Sequence, residues 1–215
     1  AETLVGRAIA GMDRSRLFLV SKVMPSHFRR DDLLRAVEDS LRRLGTDRVE
    51  LLYLHSPDEK VPIEESAAAL GAIKAAGKAV AIGASNCTLE QLQAFHAVTP
   101  LAAVQLPYNM LQRDIERRTV PWCREQNIAV AVYWPLMKGL LAGKLPRDYR
   151  FDPRDSRTKY PMYQGDEWQK NQDFLDSLRQ AAAITGHTAA QFVVNWTAHQ
   201  PGITPAHGGA KRPGQ

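Results

Sequence analysis

Short aliphatic runs alternate with segments of helical periodicity along the chain, and this alternation limits the possible folds more than any other feature. Runs that are apolar almost throughout are typical of strands buried on both faces of a parallel sheet. Alternating strands and helices joined by short connections indicate the α/β class. The six runs are 17–22, 49–55, 79–85, 101–107, 128–134 and 203–208.

Helices fill the intervals between these runs, and capping residues mark two of them. Thr88 with Gln91, and Thr188 with Gln191, have the spacing of a capping box. The helix before the fifth run must accommodate Pro121. We predict helices over 31–44, 63–76, 88–98, 114–126, 167–185 and 189–200, and a long polar loop over 146–165.

The α/β class leaves an open doubly wound sheet and a closed barrel as alternatives. No run is followed by the Gly-rich fingerprint of a dinucleotide-binding open sheet. In a barrel, polar side chains at the carboxyl ends of many strands converge on one site. The runs here end in Lys22, His55, Ser85 with Asn86, Gln105, and Tyr133. We therefore predict one domain over 1–215 of the (β/α)8 TIM-barrel type, incomplete because six strands can be placed where such a barrel has eight in about 250 residues.

Composition excludes several other classes. The 215 residues are 44% hydrophobic and 24% charged, which excludes disorder as the main state. No run of about 18 uncharged apolar residues occurs and no leader-like segment opens the chain, so we expect a soluble protein without membrane span or signal peptide. Cys87 and Cys123 cannot build a disulfide scaffold or a four-ligand zinc site. We therefore expect no metal and a reducing, cytoplasmic location.

The charge pattern favours a small anionic ligand over a nucleic acid. The formal net charge is +5, from 28 Lys and Arg against 23 Asp and Glu. The basic residues are scattered and mostly lie beside acidic ones, as on solvated helix faces, so we expect no nucleic-acid partner. Lys144 and Lys211 flank glycine-containing turns, where backbone amides can approach phosphate, although either can also be a surface lysine.

Lys22 and His55 are the candidates for chemistry. A lysine at a strand end is costly to bury unless it is paired or functional, although it can also reach water from a loop. His55 can likewise be a hydrogen-bonded structural residue. On neighbouring parallel strands, however, the two side chains would lie close enough to share a carbonyl oxygen.

Other strand ends carry groups suited to a nucleotide. The amides of Asn86 and Gln105 can pair with a carboxamide such as that of nicotinamide, or satisfy loop backbone groups. Tyr133 and Trp134 can offer an aromatic face to a flat ring, or pack in the core.

Six segments in this order resemble the aldo-keto reductase family: LFLVSK, VELLYLHSPD, AIGASN, VQLPYN, VYWPLMKGLLAGK and GGAKRPGQ. Together they extend over essentially the whole chain. The resemblance implies a (β/α) barrel that binds NADPH across the carboxyl ends of its strands. It also implies transfer of hydride from the nicotinamide to a small aldehyde or ketone.

The resemblance assigns roles to individual positions. Lys22 matches the family's catalytic lysine, and His55 its catalytic histidine. The nicotinamide of NADPH would be held by Ser85, Asn86, Gln105 and Tyr133. Its phosphates and adenosine would be bound by Pro135, Leu136, Lys144, Arg157, Gly209, Lys211 and Gln215. Trp134 stands in the pyrophosphate segment where the family usually has a serine, so the contact there would have to come from the backbone or be lost.

The family's catalytic Asp and Tyr lie on segments that precede residue 1 of this sequence, which also ends inside the adenosine-binding motif. In the mechanism that the resemblance implies, the tyrosine is the general acid and the histidine orients the carbonyl. General-acid catalysis is typically worth about two to four powers of ten in rate. We therefore expect this chain alone to be a very poor reductase.

Two other functions are alternatives. A non-catalytic regulatory module, like the potassium-channel β-subunits that resemble this family, would bind NADPH without turnover, although those relatives lack the histidine found at position 55. A phosphate-binding barrel isomerase would need catalytic carboxylates at strand ends, and no run ends in Asp or Glu.

An incomplete barrel would leave two strand edges unpaired and expose apolar interior, so we expect the chain to self-associate. Sedimentation velocity of the purified chain should show oligomers or aggregates. A stable monomer would contradict this expectation.

Overall fold

The computed structural model describes residues 1–24 and 30–209. Within them, six strands form one sheet: β1 Val20–Val23, β2 Val49–Leu54, β3 Ala79–Ser85, β4 Ala103–Pro107, β5 Ala129–Tyr133 and β6 Ala206–His207. Their order in the sheet follows the chain from β1 to β6. The β1–β2, β2–β3, β3–β4 and β5–β6 pairs are parallel. The predicted α/β class and parallel sheet are therefore confirmed.

Six of the seven described helices lie between strands along the chain, as the sequence predicts, and the first precedes β1. They are α1 Glu2–Ile9, α2 Arg30–Leu44, α3 Ile63–Ala75, α4 Leu89–Val98, α5 Thr119–Glu125, α6 Gly165–Ile184 and α7 Ala189–Ala198. Both capping boxes form: the Thr88 hydroxyl accepts from the Gln91 N–H, and the Thr188 hydroxyl from the Gln191 N–H. In the described part of the chain, no helix is both long and apolar enough to cross a membrane.

Two local predictions, the helix over 114–126 and the strand over 203–208, are wrong in detail, and the structure refines the loop over 146–165. The predicted helix over 114–126 is a 3-10 turn at Asp114–Glu116 followed by α5, because Pro121 lacks an N–H and fits only the first turn of a helix. The loop over 146–165 contains 3-10 turns at Ser156–Lys159 and Pro161–Tyr163. The strand predicted over 203–208 is reduced to the two residues of β6.

The chain divides into two compact units. The first unit comprises Ala1–Leu106 and Glu116–Val130. The second unit comprises Pro107–Ile115 and Ala131–Gln215. The single domain over 1–215 stays a prediction.

In the first unit, Gly83 lets an aromatic ring pack against the backbone of β3. The strand register places Lys22, Tyr53, Gly83 and Ala103 side by side across β1 to β4. A Cβ atom at Gly83 would lie 2.4 Å from Cε1 of Tyr53 and 2.9 Å from the Ala103 carbonyl oxygen. Tyr53 is 2% exposed and packs with Leu51 and Ala103. A glycine is therefore required at this point of the sheet.

The second unit is built around α6 and the segment that follows β5. The Arg179 Nε donates to the Gly143 carbonyl at 3.0 Å, and the Trp168 Nε1 donates to the Arg147 carbonyl at 2.9 Å. Helix α6 thereby holds the start of the long loop. The buried core of the unit includes Leu140, Leu141, Tyr163, Trp168, Leu175 and Val193.

We predict that Gly83→Ala lowers the free energy of unfolding by about 1–3 kcal/mol, the usual effect of overpacking a core. The added methyl group would collide with the Tyr53 ring and with the β4 backbone. Gly208→Ala is the control, since a Cβ atom there meets nothing within 4 Å. Chemical denaturation followed by tryptophan fluorescence measures both variants. Equal stability of the two would contradict the packing argument.

Candidate functional site

Lys22 is held on β1 by a polar partner on β4. Its Nζ donates to the Oε1 of Gln105, a residue that is 6% exposed. The same Nζ lies 5.9 Å from the centroid of the Tyr53 ring. Burial lowers the pKa of Lys22 below its ordinary value. Lys22 is therefore a partly buried amine on a strand of the sheet, and not a loop residue.

His55 directly follows β2 and lies beside the end of β1. Its backbone N–H donates to the Val23 carbonyl at 3.1 Å, and its carbonyl accepts from the Asn86 Nδ2 at 2.8 Å. The ring atom Nδ1 lies 3.1 Å from the Met24 Sδ. Burial first, and then the positive charge of Lys22, lower the pKa of His55. Both effects favour the neutral form of the imidazole.

Ser85 ends β3 with a hydroxyl group that lacks a partner. The residue is fully buried, and its Oγ finds no hydrogen-bond partner among the residues that the structure describes. Ser85 pairs with Gln105 in the strand register, and the Asn86 N–H donates to the Gln105 carbonyl at 3.2 Å. Asn86 has a φ of 59°, a left-handed conformation that asparagine tolerates. Three predicted positions thus lie together, and one has unused hydrogen-bonding capacity.

The second unit contains predicted positions at and after the end of β5. Burial raises the pKa of Tyr133, whose ring meets the Trp134 ring edge-on at 5.2 Å between centroids. Trp134 has a φ of 61°, and its carbonyl accepts from the Asn109 Nδ2 at 3.3 Å. Pro135 is buried, and Leu136 packs against the apolar core of this unit.

The other predicted positions differ in what they offer a ligand. Arg157 donates to both carboxylate oxygens of Asp155, from Nε at 3.0 Å and from the terminal nitrogen at 2.6 Å, so its charge is already balanced. Lys144 and Gly209 are exposed. Two predicted positions lie outside the described residues: Lys211 and Gln215.

Lys138 has contacts that the sequence pattern does not reveal. Its Nζ lies 4.2 Å from the centroid of the Trp134 ring and 4.3 Å from that of Tyr160. The Tyr163 hydroxyl lies 3.2 Å from the carbonyl oxygens of both Met137 and Lys138. The sequence shows the lysine but does not predict these contacts, because Tyr160 and Tyr163 follow Lys138 by more than 20 positions.

Metal ligation and thiol chemistry have little support in residues 1–24 and 30–209. No group of three or more His, Cys, Asp or Glu side chains there could hold a metal ion. Cys87 and Cys123 are free and buried, and burial raises the pKa of both thiols to about 12. Neither thiol is therefore a ready nucleophile.

The fold and the first-unit site define an α/β protein with a buried lysine, a neutral histidine and amide side chains at the carboxyl ends of parallel strands. The model of the Aldo/keto reductase family matches residues 1–215, and the chain belongs to this family. It is 35% identical over 225 aligned positions to the aldo-keto reductase YhdN of Bacillus subtilis (strain 168). That alignment covers 100% of this chain and 68% of YhdN.

Solved structures with the same fold include two enzymes of known source. The glycerol dehydrogenase AKR11B4 from Gluconobacter oxydans is 32% identical and superposes with a TM-score of 0.88, over 97% of this chain and 67% of that one. An aldo/keto reductase from Klebsiella pneumoniae, solved in complex with NADP and acetate, is 30% identical with a TM-score of 0.72, over 97% of this chain and 65% of that one. The predicted barrel type is therefore confirmed.

The chain is shorter than its relatives. It spans 61% of the aldo-keto reductase str7 of Strobilurus tenacellus and 50% of the aldo-keto reductase yakc of Schizosaccharomyces pombe (strain 972 / ATCC 24843). The activity, the substrates and the partners of the whole protein are therefore proposed below.

We predict that Lys22→Met raises the pKa of His55. Burial and the Lys22 charge both lower this pKa below 6.5, and the substitution removes only the second cause. The midpoint of the imidazole titration, followed by proton NMR, should therefore move upward and stay below 6.5. Lys78→Met is the matched control, since Lys78 precedes β3 and pairs with Glu38. If Lys22→Met left the His55 titration midpoint unchanged, the Lys22 charge would have no influence on the pKa of His55.

Proposed function

We propose that the protein is an NADP(H)-dependent oxidoreductase that reduces aldehydes or ketones to alcohols. The observation that carries this proposal is the buried Ser85 hydroxyl, which has no hydrogen-bond partner in residues 1–24 and 30–209 and lies beside Gln105 and Asn86. Family membership and the NADP-bound Klebsiella pneumoniae relative support it.

The strand-end groups of the first unit fit the carboxamide of a nicotinamide. A carboxamide brings one acceptor oxygen and two donor hydrogens, and a serine hydroxyl can both donate and accept. Ser85, Asn86 and Gln105 would hold it, and the carboxamide would give the Ser85 hydroxyl a hydrogen-bond partner. When bound, NADPH supplies the hydride that reduces a carbonyl carbon.

His55 and Lys22 would act on the carbonyl oxygen of the substrate. Burial and the Lys22 charge favour the neutral imidazole, in which one ring nitrogen bears a hydrogen that can form a hydrogen bond to a carbonyl oxygen. The nearby Lys22 charge would stabilise negative charge that develops on that oxygen. These two side chains orient and polarise the substrate.

Tyr53 is a poor candidate for the general acid. Its ring is the one that Lys22 approaches, but burial raises the pKa of the Tyr53 phenol to about 12. A phenol with so high a pKa gives up its proton reluctantly at neutral pH. We therefore keep the expectation that the 215-residue chain alone turns over slowly.

The positions of the second unit stay proposals that rest on the family resemblance. Stacking on the nicotinamide is assigned to Tyr133. Binding of the phosphates and adenosine is assigned to Pro135, Leu136, Lys144, Arg157, Gly209, Lys211 and Gln215, with backbone groups acting at Trp134.

A titration of NADPH fluorescence, followed by an absorbance assay with NADPH and an aromatic aldehyde, tests the proposal. Saturable binding with slow turnover is expected. Tight binding with no turnover at all would favour a non-catalytic regulatory module. Absence of binding would refute the proposed function for this chain, and rapid turnover would refute the expected need for a further general acid.

We predict that Ser85→Ala weakens NADPH binding about 2- to 12-fold, as expected for one net hydrogen bond of about 0.5–1.5 kcal/mol. The same change should leave the stability of the free protein unchanged or raise it, because the hydroxyl removed has no partner among the described residues. Thermal unfolding with and without NADPH measures both effects.

Thr99→Val is the opposite control. The buried Thr99 hydroxyl donates to the Ala67 carbonyl at 2.7 Å, so its removal should destabilise the free protein and leave NADPH affinity unchanged. If Ser85→Ala behaved like Thr99→Val, the Ser85 hydroxyl would be structural.

A further inference from the structure

The side chain of Met24 brings an exposed sulfur atom to the ring of His55. Met24 directly follows β1 and is 52% exposed. Its Sδ lies 3.1 Å from Nδ1 of the His55 ring. A thioether sulfur is only a weak hydrogen-bond acceptor, so this contact holds the ring hydrogen weakly. An oxidisable atom therefore lies against the imidazole that the proposed function uses.

Strand pairing brings these two residues together. Val23 pairs with Leu54 in the parallel register of β1 and β2, and the His55 N–H donates to the Val23 carbonyl at 3.1 Å. Val23 and Leu54 are both buried, so each strand is anchored up to the residue before the pair. Because the backbone fixes Met24 and His55 as neighbours, a chemical change at the sulfur atom acts directly on the ring.

A small oxidant can reach Met24 from a cavity of the first unit. The cavity has a volume of about 470 Å³, and Lys22 and Met24 line it together with residues of α1 and α2. A water molecule takes up about 30 Å³ in the liquid. Hydrogen peroxide is larger than water by one oxygen atom, so a cavity of this size admits it.

Most other sulfur atoms of the described residues are less accessible than that of Met24. Cys87 and Cys123 are buried, and burial raises the pKa of both thiols to about 12, which disfavours the reactive thiolate. Three methionines pack against the core of the second unit: Met110, Met137 and Met162. Met12, which follows α1, is 57% exposed. Met12 and Met24 are therefore the methionines that an oxidant in solution meets first.

We propose that Met24 is a site of oxidation by hydrogen peroxide, and that its sulfoxide controls the position of the hydrogen on the His55 ring. In the reaction, the sulfur lone pair attacks one peroxide oxygen, the O–O bond breaks and a sulfur–oxygen bond forms. The sulfur is oxidised to the sulfoxide, and the departing hydroxide takes up the proton of the transferred oxygen and leaves as water.

The sulfoxide would change what His55 can donate. Its polar oxygen is a strong acceptor beside Nδ1, where the thioether was a weak one. A neutral imidazole bears one N–H, so a hydrogen held at Nδ1 leaves Nε2 with none to donate to a substrate. The effect on the ring is independent of the reaction, whereas an effect on carbonyl reduction rests on the proposed function.

The same acceptor would also stabilise the protonated ring. Burial and the charge of Lys22 lower the pKa of His55 in the unmodified protein. A hydrogen bond from Nδ1 to the sulfoxide favours the charged form and opposes both effects, so the pKa of His55 should rise on oxidation.

Peroxide treatment followed by mass spectrometry and NMR tests the proposal. Met12 and Met24 should each gain one oxygen atom before the three methionines of the second unit do. The nitrogen chemical shifts of His55 should then show the hydrogen at Nδ1, and the titration midpoint of the ring should move upward. Methionine sulfoxide reductases with a thiol reductant should reverse both changes, because methionine sulfoxide is a reversible oxidation product.

Met12→Leu is the matched control for Met24→Leu, since the two methionines are similarly exposed. Peroxide should leave the His55 shifts and midpoint unchanged in Met24→Leu, and change them in Met12→Leu as in the wild type. Met24→Gln, which brings an amide oxygen towards Nδ1, should raise the midpoint without peroxide. It also provides a second test if Met24→Leu fails to fold, and circular dichroism checks the folding of each variant.

The outcomes separate this proposal from the proposed function. If Met24 stays reduced while Met12 is oxidised, or if oxidised Met24 leaves the His55 shifts and midpoint unchanged, the Met24 proposal is overturned and the proposed function is unaffected. If the ring responds as expected but the wild type neither binds NADPH nor reduces an aldehyde, the proposed function fails and the control of His55 by Met24 stands.

Turnover provides the last comparison. If the wild type reduces an aldehyde, peroxide should lower its rate and that of Met12→Leu, and leave the rate of Met24→Leu unchanged. An equal loss of rate in all three proteins would overturn the control of catalysis by Met24.

Discussion

The parallel register of β1 to β4 is the constraint on which the first-unit site depends. It aligns Lys22 with Tyr53, Gly83 and Ala103 in one row across the sheet. Residues two positions further along a strand project from the same face, so Ser85 and Gln105 lie on the face of that row. Gly83 adds no side chain to the row, and the Tyr53 ring fills the space that it leaves. If the register of a strand shifted by one residue, the polar side chain at the end of that strand would point to the opposite face of the sheet.

Burial and charge then give Lys22 and His55 their properties together. Desolvation penalises the charged form of each base, and the Lys22 charge further disfavours a second positive charge on His55. The Gln105 amide oxygen gives the ammonium a partner that carries no charge of its own. Together these effects favour a neutral imidazole beside a cation, an arrangement suited to polarising an oxygen atom and unsuited to binding a cation.

In the second unit, some arginines pair with carboxylates close in sequence, and others pair with carboxylates that only the fold brings near. Arg154 and Arg157 bind aspartates two positions before them, so these pairs are already visible in the sequence. Arg147 finds its aspartates 26 and 29 positions away on α6, and this pairing needs the fold. Lys138 is held by aromatic rings instead.

The sequence by itself determined the order of strands and helices, the two capping boxes and the polar residues that end the strands, because periodicity and capping depend on neighbours a few positions apart. It also identified the family and, through the strand ends, Lys22, His55 and the Ser85 region. The tertiary structure alone decided that the Ser85 hydroxyl has no partner among the described residues, that Gln105 accepts from Lys22, and that Lys138 lies between the Trp134 and Tyr160 rings. Each of these depends on side chains that lie far apart along the chain and meet only when the strands are in register or α6 and its preceding turns are packed.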